Sequence, residues 1–112
     1  MGGSQSQKLK PTNMSAAEFV KSEIDSNEVI IFSKSYCPYC KKTKKLFNEM
    51  NVDAKAIELD KIADGAAIQN ALASISGQRT VPNVYIKGTH LGGNDDTQAA
   101  KKNGKLAELL GK

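Results

Sequence analysis

The feature that most constrains the fold is a junction between two kinds of sequence. Val29, Ile30, Ile31 and Phe32 form an unbroken, mostly β-branched apolar run, and Cys37 follows it at the start of a stretch with helical periodicity. A strand that is apolar at every position has no face to give to water. It belongs inside a sheet covered on both sides, as parallel and mixed sheets are. Such a sheet needs helices for its connections, and this seam carries Cys37-Pro38-Tyr39-Cys40.

The remaining elements fit that frame. Ser15-x-x-Glu18 is a capping box ahead of Phe19, Val20 and Ile24, predicting a helix to about Ser26. Ile57 and Leu59 alternate with Glu58 and Asp60 as a second strand, and Ile68, Ala71, Leu72 and Ile75 trace a third helix ended by Gly77. Val84-Tyr85-Ile86, a turn at Lys87-Gly88 and Thr89-His90-Leu91 read as a hairpin. After Gly92-Gly93, two short helices end in Leu106, Leu109 and Leu110. The expected architecture is α/β, a βαβ half joined to a ββα half, with residues 14–112 as one domain.

The cysteines are the only two in the chain and stand three apart, so a bridge between them closes too short a loop to constrain an unfolded chain. With no hydrophobic signal region, a close pair points to metal or redox chemistry, and the expected compartment is cytoplasmic. Structural zinc normally takes four Cys or His ligands, and only His90 remains to help, so no metal is expected. In a helix the two sulfurs differ. The N-terminal N–H groups and the macrodipole favour negative charge on Cys37, the candidate nucleophile. Pro38 suits the first helical turn. Cys40, on a stripe with Thr43, Phe47 and Met50, faces inward and is suited to resolve, not to initiate. Lys34 adds a cation near the thiolate or an anionic substrate.

Charge narrows the partners. The formal +4 includes Lys8 and Lys10, leaving only about +2 for residues 14–112. Without interleaved aromatic and basic residues, nucleic-acid binding is not expected. Lys41, Lys42, Lys44 and Lys45 make a local positive field on the second helix, although such runs are usually a solvated face. No apolar run is long enough to span a membrane. Residues 1–13 are too poor in apolar side chains to order themselves and read as a disordered tail or tag. Their start, Met1-Gly2-Gly3-Ser4-Gln5-Ser6, matches the N-myristoylation pattern, but no stable membrane association is expected.

Cys37-Pro38-Tyr39-Cys40, Thr80-Val81-Pro82 and Gly92-Gly93-Asn94-Asp95-Asp96 together resemble, in order and spacing, the three motifs of dithiol glutaredoxins. The likeness spans nearly all of residues 15–111. It implies a thioredoxin-like fold with a four-stranded mixed sheet flanked by about five helices. It also implies a glutathione-dependent oxidoreductase, with glutathione as co-substrate and glutathionylated or disulfide-containing proteins as clients. By the same resemblance Pro82 is cis, and the Val81 backbone pairs with the cysteinyl part of glutathione like an added strand. Lys34, Gln69 and Arg79 match positions that hold its glycine carboxylate. Gly93, Asn94, Asp95 and Asp96 match the γ-glutamyl end, Thr80 matches a further glutathione-binding position, and Tyr39 matches the ring beside the thiol. Asp95 or Asp96 faces the ligand ammonium, and whichever does not is a helix cap. Asn94 stands where some members carry a further cysteine.

Two other readings keep the same fold. A glutathione-ligated [2Fe–2S] dimer is chemically possible through Cys37 thiolates, but the family's dedicated cluster members resemble Cys-Gly-Phe-Ser. Thioredoxins proper usually resemble Trp-Cys-Gly-Pro-Cys, and this chain contains no tryptophan. A monomeric enzyme is the expectation.

Overall fold

β1, Val29–Ser33, is buried at every position, and its alternating side chains feed two separate cores. Ile30 and Phe32 join Phe19, Val20, Ile24, Ile57, Ile68 and Leu72 on one face of the sheet. Val29 and Ile31 join Leu46, Phe47, Val84, Ile86, Ala100, Leu106 and Leu110 on the other. The unbroken apolar run thus reflects burial on both faces.

The computed structural model describes residues 14–112. The tail, its charge and its myristoylation pattern fall in residues 1–13, outside the described residues. Over residues 14–112 the elements run α1 (Ala16–Ser26), β1, α2 (Pro38–Glu49), β2 (Lys55–Glu58), α3 (Gly65–Ser76), β3 (Asn83–Ile86), β4 (Thr89–Gly92), α4 (Asn94–Lys102) and α5 (Lys105–Leu110). The sheet order is β2-β1-β3-β4. β1 and β2 are parallel, joined through α2, while β3 is antiparallel to both β1 and β4. Helices α1 and α3 cover one face; α2, α4 and α5 cover the other. The expected four-stranded mixed sheet with five helices, a thioredoxin-like fold, is the observed one.

Local chemistry explains the boundaries. The capping box forms as expected, with Ser15 and Glu18 each accepting the other's backbone N–H. The hairpin turn has positive φ at both Lys87 and Gly88, 49° and 83°, which suits the right-handed twist of its strands. Two ion pairs, Lys55 with Glu23 and Lys44 with Glu58, tie β2 to α1 and α2.

Three details depart from the sequence reading. Leu59 does not extend β2 but opens a single 3-10 turn, Leu59–Lys61, which keeps its side chain in the core. Ile75 stands 37% exposed on the outer side of α3, and Met50 only half-enters the core at the end of α2. β3 begins one residue early, at Asn83, whose buried amide donates to Ser76 Oγ at 3.2 Å.

The six-residue α5 is too short to be helical alone, so its packing holds it. Leu106→Ala empties a fully buried site among Leu46, Phe47 and Val84 and should cost about 2–5 kcal/mol in denaturant unfolding. A cost under about 1 kcal/mol would mean that α5 is not part of this core.

Candidate active site

Between the C-terminal end of β1 and the start of α2 the chain runs through Lys34, Ser35 and Tyr36. This short loop is pinned twice. Cys37 donates its N–H to the Lys34 carbonyl at 3.1 Å, and Ser35 donates both its N–H and its hydroxyl to the Asp60 carboxylate. Those two bonds from Ser35 hold the Asp60 carboxyl below its usual range. The 3-10 turn that displaced Leu59 from β2 is therefore what presents Asp60 to the loop.

Cys37 is the N-cap of α2, with extended backbone (φ −85°, ψ 118°), and Pro38 fills the first helical position. Its Sγ accepts the Cys40 N–H at 3.2 Å, one of the donors that a helix start leaves open. The same sulfur lies 3.9 Å from the Val81 carbonyl oxygen, toward which the thiol donates. It is only half-buried, and the nearby tyrosines on either side of it in sequence, Tyr36 and Tyr39, are 67% and 56% exposed.

Cys40, one turn further, has no exposed surface. Burial pushes its thiol pKa up, the adjoining Cys37 sulfur adds to that, and contacts with Lys34 and Ser33 only partly oppose it. One sulfur is reachable and the other is held protonated and out of reach.

Beside Cys37 opens a groove of about 600 Å³. Tyr39 lines one side, the loop Gln78, Thr80, Val81 and Pro82 the floor, and Gly93 with Asn94, Asp95 and Asp96 the far side. The Val81–Pro82 peptide is cis. At the far side the start of α4 has no side-chain cap, so its first amides remain free to meet an anion. The structure divides the two acids: Asp96 Oδ2 accepts the Gly93 N–H at 3.2 Å, whereas Asp95 is left exposed on the groove. The Asn94 side chain turns to α2, its Oδ1 accepting from buried Thr43 at 2.9 Å and from Gln98.

The sequence-expected residues Tyr39, Thr80, Val81, Pro82, Gly93, Asn94, Asp95 and Asp96 thus share one groove with Cys37 beside it. Lys34, Gln69 and Arg79 stand outside its wall. Arg79 donates to Asn70 Oδ1 at 2.6 Å, and the Gln69 amide donates to the Arg79 carbonyl at 2.8 Å. His90, also outside, packs against Tyr85 with the two rings tilted and their centroids 5.0 Å apart, and partial burial lowers its pKa against the pull of Asp96.

Sequence reasoning passed over Gln78. Its amide donates to both the Thr80 and Pro82 carbonyls at 2.9 Å, stapling the loop from within. Nothing about a glutamine two residues before Thr80 marks it for that task. Asp60 was missed because it reads as the polar half of a strand alternation. Among the described residues no cluster of three or more His, Cys, Asp or Glu is placed to hold a metal.

Together, fold and site define a dithiol oxidoreductase centre on a thioredoxin-like scaffold. The glutaredoxin family model matches residues 29–91. Glutaredoxin-C4 of Arabidopsis thaliana is 56% identical over 95 residues, covering 85% of this chain and 70% of that protein. The crystal structure of a wheat glutaredoxin superposes with a TM-score of 0.84 at 52% identity, covering 89% of this chain and 94% of that one. A buckwheat glutaredoxin solved as a glutathione complex gives 0.83 at 45% identity, with 85% and 86% covered. The chain belongs to the glutaredoxin family.

The two adjacent glycines make unequal demands. Gly92 has φ 125°, and a Cβ there would stand 2.2 Å from Asp96 Oδ2; Gly93 has an ordinary φ, and its Cβ would meet Pro82 O at 3.6 Å. Gly92→Ala should therefore cost about 1–3 kcal/mol in unfolding, and Gly93→Ala much less. Equal costs would show that the turn does not depend on the backbone of Gly92.

Proposed function

We propose that the protein reduces glutathione-capped thiols and protein disulfides through Cys37, with Cys40 as resolving thiol and glutathione as electron donor. Membership of the glutaredoxin family supports a glutathione-dependent thiol oxidoreductase. The observation that carries the reading is the pairing at the start of α2, where a reachable sulfur accepts an amide N–H and a buried one stands a turn away.

The Cys37 thiolate attacks the glutathionyl sulfur of a mixed disulfide. A Cys37–glutathione disulfide forms, the client sulfur leaves as thiolate, and a proton from solvent restores its thiol. A second glutathione thiolate then attacks the bound glutathionyl sulfur, releasing oxidised glutathione and the Cys37 thiolate. With a protein disulfide the first attack leaves the client joined to Cys37. Cys40 then loses its proton and displaces the client, forming a Cys37–Cys40 disulfide that two glutathiones reduce.

The groove supplies orientation. The Val81 backbone pairs with the cysteinyl part of glutathione, the free amides of α4 receive the γ-glutamyl carboxylate, and exposed Asp95 faces its ammonium. Asp96, which already caps Gly93, holds the turn. Lys34 and Arg79 are the cations for the glycine carboxylate, and Gln69 holds the Arg79 backbone through its amide. Buckwheat glutaredoxin, with the same fold, carries glutathione in its solved complex. Every group named comes from one chain, so a monomer suffices. The chemistry needs a reduced glutathione pool, and we place it in the cytoplasm.

Cys37→Ser should abolish turnover of both substrate types, by on the order of 10³-fold or more. Cys40→Ser should keep reduction of a small glutathione mixed disulfide within the same order of magnitude and lose reduction of protein disulfides. A glutathione-coupled assay reads both, and turnover surviving without Cys37 would overturn the assignment.

A further inference from the structure

A second groove runs between α2 and α4, of about 440 Å³, walled by Lys42, Lys45, Leu46 and Glu49 on one side and Asn94, Gln98 and Lys101 on the other. We propose that this groove docks an acidic segment of the client protein, next to the cysteine whose mixed disulfide Cys37 attacks. The inference rests on the oxidoreductase reading above and names its preferred macromolecular substrate.

Three observations carry it. The first is continuity: Asn94 walls both this groove and the one beside Cys37, and Lys42 lies over the ring of Tyr39, at 5.3 Å, where the two meet. A client chain whose reactive sulfur lies beside Cys37 and that leaves on that side enters the lysine groove.

The second is unspent charge. The walls hold three lysines against one glutamate. Lys45 and Glu49 approach only to 4.0 Å with both side chains largely exposed, a pairing worth little. Among the described residues no carboxylate pairs with Lys42 or Lys101, nor with neighbouring Lys41 and Lys102. Lys44, by contrast, is spent on Glu58. The positive field is therefore open on the groove side and neutralised on the sheet side.

The third is length. At about 1.5 Å rise per residue, Lys42 and Lys45 lie roughly 7 and 12 Å along the helix axis from Cys37. An extended peptide covers that span in about two to four residues. The preferred client carries Asp or Glu two to four positions from its reactive cysteine.

The test uses three glutathionylated peptides identical but for those positions, which are acidic, neutral or basic, and a small glutathione mixed disulfide as reference. Three enzymes are compared: the unaltered protein, Lys45→Gln with Lys101→Gln, and Lys45→Glu with Lys101→Glu. Lys42 is kept because it also contacts Tyr39. The unaltered protein should show a KM for the acidic peptide about three- to tenfold below the neutral one, collapsing at high salt. The glutamine pair should erase that preference, and the glutamate pair should transfer it to the basic peptide. Turnover of the small mixed disulfide should stay unchanged throughout. Peptide preferences that are the same in all three enzymes would overturn the inference. So would duplex DNA competing at this face while the peptides show no preference. Failure of the unaltered protein on the small mixed disulfide would instead overturn the oxidoreductase reading.

Discussion

The hydrogen bond from the Cys40 N–H to the Cys37 sulfur ties the chemistry to the fold. It exists because Cys37 occupies the N-cap of α2 with extended backbone, and that position exists because β1 ends where the helix must begin. A sulfur at an N-cap meets donors that have no carbonyl partner in the helix, so negative charge there is welcomed. One turn on, the helix face that buries Thr43, Leu46 and Phe47 also buries Cys40, whose thiol is pushed toward its neutral form. A single helix start thus gives two identical side chains opposite roles.

What keeps the helix start in place comes from distant parts of the chain. Asp60, across from β1, holds Ser35 by two hydrogen bonds. Gln78 staples the loop around Val81, whose carbonyl faces Cys37 at 3.9 Å. Thr43 on α2 donates to Asn94 on α4, fixing the groove's far side against the helix that bears the thiols. The groove is therefore framed by contacts between elements that lie up to fifty-one positions apart in sequence.

Legibility followed locality. β1, the α1 capping box and the hairpin turn were readable because each depends on side chains adjacent in sequence, and Cys37 and Cys40 were readable because helix geometry alone separates them. The outlying details were not. Leu59 looked like the next inward residue of a strand, and only the packing of β2 against β1 shows the chain turning there. The division between Asp95 and Asp96 depends on which carboxylate reaches back to Gly93, a matter of turn geometry at Gly92. Gln78 acts through backbone carbonyls, which leave no pattern of residue types to read, and Asp60 meets Ser35 from twenty-five positions away in sequence.

The central claim is that a glutathionyl group on Cys37 lies across the Val81 backbone with its γ-glutamyl end at the start of α4. Amide NMR on the Cys40→Ser protein, compared before and after glutathionylation of Cys37, tests it most directly. The account predicts large shifts and slowed amide exchange at Val81 and at residues 93–96, with little change around residues 25–28 and 87–88. Shifts confined to Cys37 and its immediate neighbours, with Val81 and the α4 amides unmoved, would contradict it.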